Sequence, residues 1–184
     1  MKKIFLSIMT MALLFTTAEA QNRTVEKSIF GVQIGFFGLD FYNEARLTDK
    51  LALRSEISLY SEVWGGDMYS ETGFMIFPIL SIQPKFYYNI ERRAEKGRNT
   101  KNNSANYFGL KIKFAPDLFV ISNNDNMFIY NQIHFVPNFG IRRNFGEKFN
   151  YEFNIGLGYG TTIGYTYNAR GLVFDLGFKI GYDF

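Results

Sequence analysis

A two-residue alternation of apolar side chains constrains this chain more than any other feature. In residues 171–184 every second side chain is apolar, up to Phe184, and charged residues and glycines fill most of the positions between. Successive side chains of a β-strand point to opposite faces, so this period predicts one long strand with two unlike faces. The same alternation recurs from Ser28 onward, broken by clusters of turn-forming residues. The sequence therefore predicts an all-β domain.

The number of strands depends on how residues 28–47 are divided. Their apolar row runs on even numbers up to Phe36 and on odd numbers from Leu39, so a tight turn or a bulge lies around Phe37 and Gly38. A closed barrel leaves no unpaired strand edge, and bacterial barrels usually have an even strand count. We therefore predict a hairpin here and a closed eight-stranded antiparallel up-and-down barrel. One bulged strand is the alternative.

The alternation alone does not say which face is outside, because a soluble sandwich or a lipocalin-like barrel produces the same pattern. Three features favour apolar side chains facing lipid: a predicted export signal, aromatic residues near strand ends, and charges on the opposite faces. A transmembrane barrel is thus predicted. The residues expected to face outward include Leu110, Ile129, Ile133, Phe153 and Leu176.

Residues 1–20 have the three parts of a secretory signal. Lys2 and Lys3 precede an apolar run, and Ala18-Glu19-Ala20 forms a small-residue cleavage site. The apolar run is too short to cross a bilayer as a helix. We predict a cleaved signal peptide over residues 1–20 and one barrel domain over residues 21–184, with a buried N-terminal helix as the alternative to the signal.

Composition excludes several classes of function. The formal net charge of +3 is scattered along the chain, which gives no reason to expect a nucleic-acid partner. The chain contains no cysteine, so neither a disulfide nor a lipid on an N-terminal cysteine is available. His134 is the only histidine, and the carboxylates lack metal-ligand spacing, so no metal and no cofactor is predicted.

Charged residues recur on the inward phase of nearly every predicted strand. Their near-balance predicts ion pairing, because an unpaired charge in a dry interior is costly. An eight-stranded barrel is just wide enough for side chains to fill, so a packed network rather than a pore is expected. The predicted interior network comprises Arg46, Arg54, Glu56, Lys85, Lys111, Lys113, His134, Arg142, Glu152, Asp175 and Lys179, balanced by further carboxylates at Asp40, Glu44 and Asp183.

The connections between strands predict a topology. Short turns at 48–50 and 146–148 are expected on the periplasmic side, and the outer loops are 65–72, 117–126 and 161–170. One long connection, residues 90–107, falls on the periplasmic side and is basic and Asn-rich. A mobile solvated loop is the favoured interpretation. The alternative is a contact with a protein partner, through this segment or through the outer loops.

Three prolines fall inside predicted strands, at Pro78, Pro84 and Pro137. A proline lacks the N–H that a ladder hydrogen bond needs. Residues on one face of a strand form their backbone hydrogen bonds with the same neighbouring strand. The hydrogen bonds lost in the fourth strand should therefore all lie in one seam, that is, between this strand and one of its two neighbours. Bulges are expected at these positions.

Over residues 28–184 the chain resembles the small single-domain outer-membrane β-barrel proteins of Gram-negative bacteria, of the OmpA-type and OmpX-like kind. In that family an aromatic residue that ends an alternating apolar row is read by the outer-membrane assembly machinery. The resemblance implies such an assembly signal at Phe178, Ile180, Tyr182 and Phe184. It also implies location in the outer membrane, in contact with its lipid.

The function expected from this resemblance is non-enzymatic, with a structural or interaction role in the cell envelope. One alternative is a lipid A-modifying hydrolase or acyltransferase that uses His134, although "NQIHFVPN" places no serine two residues away. Another alternative is an accessory role in a secretion system.

Overall fold

A computed structural model describes residues 23–66, 72–125, 127–164 and 169–184. The predicted signal peptide lies outside the described residues, as do parts of the three predicted outer loops. The strands are β1 (Ser28–Gly35), β2 (Gly38–Arg46), β3 (Leu51–Trp64), β4 (Gly73–Phe86), β5 (Asn106–Ala115), β6 (Ile121–Ser122), β7 (Gln132–Phe145), β8 (Phe149–Thr162) and β9 (Arg170–Asp183).

Eight of the described strands close into an antiparallel barrel. Each pairs with its neighbour in the chain order β1, β2, β3, β4, β5, β7, β8, β9, and β9 returns to pair with β1. The two-residue strand β6 lies outside this ring and pairs with β4 at Met75 and Ile76. The predicted closed eight-stranded up-and-down barrel is confirmed, with β6 as an addition that the sequence did not indicate.

The change of phase near Gly38 is a hairpin. Gly35 pairs with Gly38, which leaves Phe36 and Phe37 as a two-residue turn between β1 and β2. Gly38 has a φ of 135°, a backbone conformation open mainly to glycine. The hairpin interpretation is therefore confirmed over the single bulged strand.

The outward and inward faces follow the sequence pattern, with one error. Leu110, Phe153 and Leu176 are exposed on the outer surface. Ile129, however, precedes β7 and is buried against Phe77 and Ala115. The prediction of an outward Ile129 is wrong because the parity of a residue fixes its face only within a continuous strand.

The prolines interrupt pairing, and two of the three form no bulge. The seam between β3 and β4 runs continuously past both Pro78 and Pro84. The seam between β4 and β5 omits Pro84 and stops at Leu80, so the loss is confined to one side, as expected. The register is the same on both sides of Pro84, and also on both sides of Pro137 in the β7–β8 seam. The prediction of bulges is therefore wrong for Pro84 and Pro137, whereas beyond Pro78 β4 pairs with β6 in a different register.

The connection at 90–107 closes one end of the barrel instead of forming a mobile loop. It folds into a short helix, α1 (Ile90–Glu95), and a 3-10 turn at Lys101–Asn103. We call residues 90–105 the plug, and the end that it covers the closed end; the opposite end, with the Phe36–Phe37 turn, is the open end. Among the described residues no helix has the length and apolar character needed to span a membrane.

Apolar packing and an ion pair hold the plug in place. Its residues Ile90 and Ala105 are fully buried with four side chains from the barrel and the N-terminal segment, namely Val25, Ala52, Tyr87 and Tyr107. On the surface, Lys50 Nζ lies 2.5 Å from Glu91 Oε2. This hydrogen bond raises the pKa of Lys50 and lowers that of Glu91. The prediction of a mobile loop is wrong because a polar composition does not show which residues are buried, here apolar Ile90 and Ala105 together with Asn103.

Truncating the plug's buried anchor should destabilise the fold. Ile90 is 0% exposed, and Ile90→Ala should lower the free energy of unfolding by about 2–5 kcal/mol through lost burial and the cavity left behind. The neighbouring exposed Arg92→Ala is the control and should change it by less than about 0.5 kcal/mol. Urea titration followed by the fluorescence of Trp64, the single tryptophan, measures both. Equal effects would mean that the plug is not packed as described.

Candidate interior site

The carboxylate of Glu152 is the centre of the barrel interior. Arg54 Nη1 lies 3.0 Å from it, Lys85 Nζ 2.7 Å and Arg142 Nη1 3.2 Å. The Tyr107 hydroxyl also donates to it at 2.6 Å. Three cations therefore share one buried anion, an arrangement that satisfies the carboxylate with charge-assisted hydrogen bonds.

Strand register brings these side chains to one level. Arg142 on β7 pairs directly with Glu152 on β8. Arg54 on β3 and Lys85 on β4 have the inward phase of their own strands, so they approach from the opposite wall. Tyrosine faces pack against the cations: the Arg54 guanidinium lies 3.8 Å from the ring centroid of Tyr42.

Towards the closed end, the network joins the plug. Lys85 Nζ is 3.2 Å from Glu44, which accepts hydrogen bonds at 2.7 Å from the Tyr87 hydroxyl and at 2.6 Å from the Asn103 amide. Burial and the nearby carboxylate raise the pKa of Tyr87 well above its usual value, so its hydroxyl stays a neutral donor.

Arg142 links the plug to the last strand. Its Nε donates to the Asn102 carbonyl at 2.8 Å, and its Nη2 lies 2.8 Å from Asp183. The Asn102 side chain donates to the same carboxylate at 2.9 Å. Asn102 and Asn103 have φ values of 50° and 59°, a left-handed conformation that asparagine tolerates better than most residues.

Towards the open end, a second group of pairs surrounds Glu56. This carboxylate lies 2.7 Å from Arg54, 3.0 Å from Lys111 and 3.5 Å from Lys179. Two further pairs lie beside it, Lys113 with Asp175 and Lys179 with Asp40.

Nine of the eleven residues predicted for the interior network take part in these ion pairs. Arg46 and His134 do not: among the described residues neither forms an ion pair, Arg46 Nε has no hydrogen-bond partner, and His134 Nε2 lies 3.2 Å from Gln132 Oε1. Sequence reasoning missed the tyrosines Tyr42, Tyr87 and Tyr107. The inward phase of Tyr42 and Tyr107 was the signal available for them.

Above the Glu56 group the interior is not filled. A cavity of about 600 Å³ occupies the open-end half of the barrel. Its apolar lining includes Met75, Phe77, Ile79, Ala115 and Ile129. The expectation of a side-chain-filled interior therefore holds for the closed-end half and is wrong for this half.

No family model, no curated protein and no solved structure matches this chain. Within the described ranges, no group of three or more His, Cys, Asp or Glu residues is placed to hold a metal ion. What the fold and the site define is a closed eight-stranded barrel with a charge-paired, plugged end and a cavity at the other.

Removing the charge of Glu152 should destabilise the fold. Glu152→Gln preserves shape but leaves three buried cations short of an anion, which should lower the free energy of unfolding by about 3–5 kcal/mol. The same substitution at Glu147, in the exposed β7–β8 turn, is the control and should cost less than about 0.5 kcal/mol. Denaturant titration compares the two variants, and a loss at Glu152 no larger than at Glu147 would contradict a central role.

Proposed function

We propose that residues 21–184 form a non-enzymatic integral β-barrel of the outer membrane, exported by a signal over residues 1–20, with a structural or interaction role in the envelope. The observation that carries the proposal is the large apolar side chains exposed on the outer face of every barrel strand. They include Phe30, Phe41, Ile57, Leu80, Phe108, Phe135, Leu157 and Phe174. A continuous apolar surface of this size is incompatible with water and suits lipid.

The dimensions support the same proposal. The strands β3, β4, β7, β8 and β9 each have 14 residues. At about 3.3 Å per residue and a tilt of about 40°, such a strand rises about 35 Å, enough to cross a hydrocarbon core of about 30 Å.

An aromatic cluster at the closed end has the position of a membrane-interface girdle. The Phe149 ring stacks on Phe145 and meets the edge of Tyr182, and Tyr182 in turn meets Phe184. Aromatic rings of this kind are enriched where lipid tails meet headgroups. The closed end carries the short connections 47–50 and 146–148, which in such barrels lie on the periplasmic side, so it would face the periplasm.

Location and topology are tested by expressing the full chain in a Gram-negative host. We expect the protein in the outer-membrane fraction, with Gln21 near its mature N-terminus. Its electrophoretic mobility should differ between unboiled and boiled samples, because the barrel ladder resists detergent until heated. Recovery in a soluble fraction would contradict the proposal.

The interior network supports a closed barrel. Glu44, Lys85 and Arg142 are fully buried beneath the plug. Their paired side chains fill the barrel at that end, which leaves no water-filled path for an ion to cross. Planar bilayers containing the protein should therefore show no stable single-channel currents. Stable unitary currents, absent from protein-free bilayers, would overturn this expectation.

We propose no catalytic role for His134. Among the described residues its hydrogen bond goes to Gln132 on the same strand, and neither a serine nor a carboxylate bonds to it. Loss of a measured lipid A acylation change in His134→Ala would favour the enzyme alternative. A protein partner, including one in a secretion system, is better sought at the exposed face of the plug, around Arg92, Lys96 and Arg98. Co-purification with and without these side chains tests that contact.

The row Phe178, Ile180, Tyr182 and Phe184 is proposed as the signal for the outer-membrane assembly machinery. Phe184 is 74% exposed, and its N–H donates to the Phe30 carbonyl at 2.9 Å. Because the ring is largely unburied, Phe184→Ser should cost far less than the roughly 1.5–3 kcal/mol of a fully buried Phe. Outer-membrane accumulation should nevertheless fall strongly.

Phe184→Tyr is the matched control and should accumulate normally. Quantitative immunoblotting of outer membranes gives accumulation, and denaturant titration in detergent gives stability. Equal membrane levels for the two variants would show that Phe184 carries no assembly information.

A further inference from the structure

The barrel wall has a gap at the open end. The β1–β2 hairpin turns at Phe36 and Phe37, and its last pairs are Gly35 with Lys179 on β9 and Gly38 with Tyr60 on β3. Beyond these pairs β9 continues through residues 170–178 and β3 through 61–64. We call this gap, bounded below by the hairpin turn and on its sides by β9 and β3, the notch.

The notch exposes an edge of β9. The N–H of Phe184 bonds to β1, so by the alternation of an antiparallel ladder the even-numbered residues of β9 direct their backbone groups to that side. Among the described residues, Phe174 and Leu176 have no strand partner there.

The cavity reaches the outer surface through the notch. Its lining includes Phe36 and Phe37 of the hairpin turn together with Phe174, Leu176 and Phe178, which belong to the outward row of β9. The same lining continues inside to Phe77 and Ile79. An apolar path therefore connects the barrel interior to the surface that lipid would cover.

The level of the notch matters if the barrel spans a membrane as proposed above, on which this inference rests. At about 3.3 Å per residue and a tilt of about 40°, the eight residues of β1 rise about 20 Å, against about 35 Å for β9. The notch thus begins below the edge of a hydrocarbon core about 30 Å thick. It opens among acyl chains of the outer leaflet.

The cavity's polar floor does not call for a charged ligand. The lysines that border it are each paired with a carboxylate: Lys111 with Glu56, Lys113 with Asp175, and Lys179 with Asp40. The apolar part of the wall comes from β4, through Met75, Phe77 and Ile79, while β3 contributes polar side chains such as Ser58 and Glu62. The cavity volume, about 600 Å³, falls within the range of small-ligand sites. The apolar side chains of the notch and of β4 form a continuous surface that suits a hydrocarbon chain.

We propose that this cavity binds one long acyl chain, which enters sideways from the outer leaflet through the notch. The tail passes Phe36 and Phe37 and lies against Met75, Phe77 and Ile79, while its polar end remains outside the barrel at the level of the outer headgroups. The acyl chain is common to a free fatty acid and to a phospholipid, and the experiment separates these two sources.

The test is photolabelling from the bilayer. The mature protein is purified from outer membranes and placed in vesicles of palmitoyl-oleoyl phosphatidylcholine, whose hydrocarbon core is about 30 Å thick. One sample contains a diazirine-bearing C16 fatty acid, the other a phosphatidylcholine that carries the same chain.

Outward residues such as Phe153 can be labelled by any neighbouring lipid. Inward Met75 and Phe77 can be labelled only by a chain inside the barrel, and mass spectrometry distinguishes the adducts. Inward labelling by one probe alone identifies the source.

Two neighbouring substitutions provide the control. Ile79→Trp fills the cavity and should reduce labelling of Met75 and Phe77 at least fivefold, whereas Leu80→Trp places the same ring on the outer face and should not. Both variants are checked for heat-modifiable mobility. Labelling of Phe153 without inward labelling in the unsubstituted protein, or inward labelling unaffected by Ile79→Trp, would overturn the proposal. Labelling on neither face would contradict the membrane location and this inference with it.

Discussion

The carboxylate of Glu152 is the interaction on which the closed-end half of this barrel depends. Cations from β3, β4 and β7 converge on it from different walls. A buried anion is tolerated only while its partners stay within hydrogen-bond distance, so the shared charge fixes how far apart these strands lie. The position of the plug depends on the same carboxylate, because Arg142 binds Glu152 with one nitrogen and the Asn102 carbonyl with another. A single network of ion pairs and hydrogen bonds thus connects the barrel wall, the interior and the plug.

The architecture was readable from the sequence where local pattern decides it. The alternation gave the faces of the strands, and the shift of phase between Phe36 and Leu39 gave the first hairpin, because each depends on residues close together in the chain. The ion pairs followed from phase as well, since most inward charges such as Arg54 and Glu56 have inward neighbours of opposite sign.

The plug and the cavity could not be read in this way, because both depend on contacts between distant segments. Asn103 looks like part of a solvated, Asn-rich loop until its amide is seen bonded to Glu44. Ile129 carries the parity of an outward row yet folds back over the open end, against Phe77. The notch through which the cavity opens arises from unequal strand lengths around the barrel, a property of the closed ring that no single segment encodes.

The shortness of the β1–β9 seam has a consequence for the kinetics of folding. Every other seam of the ring joins strands that follow one another in the chain, but this one joins its two ends, so its loop-closure entropy is the largest. Its ladder runs only from Gly31 to Gly35, and little pairing compensates for that entropy. Asp183 offsets the deficit: it accepts from Arg142, and it accepts from the Tyr42 hydroxyl on β2, across β1. This carboxylate therefore strengthens the seam that closes the ring, and we expect formation of that seam to be slow because its loop-closure entropy is the largest.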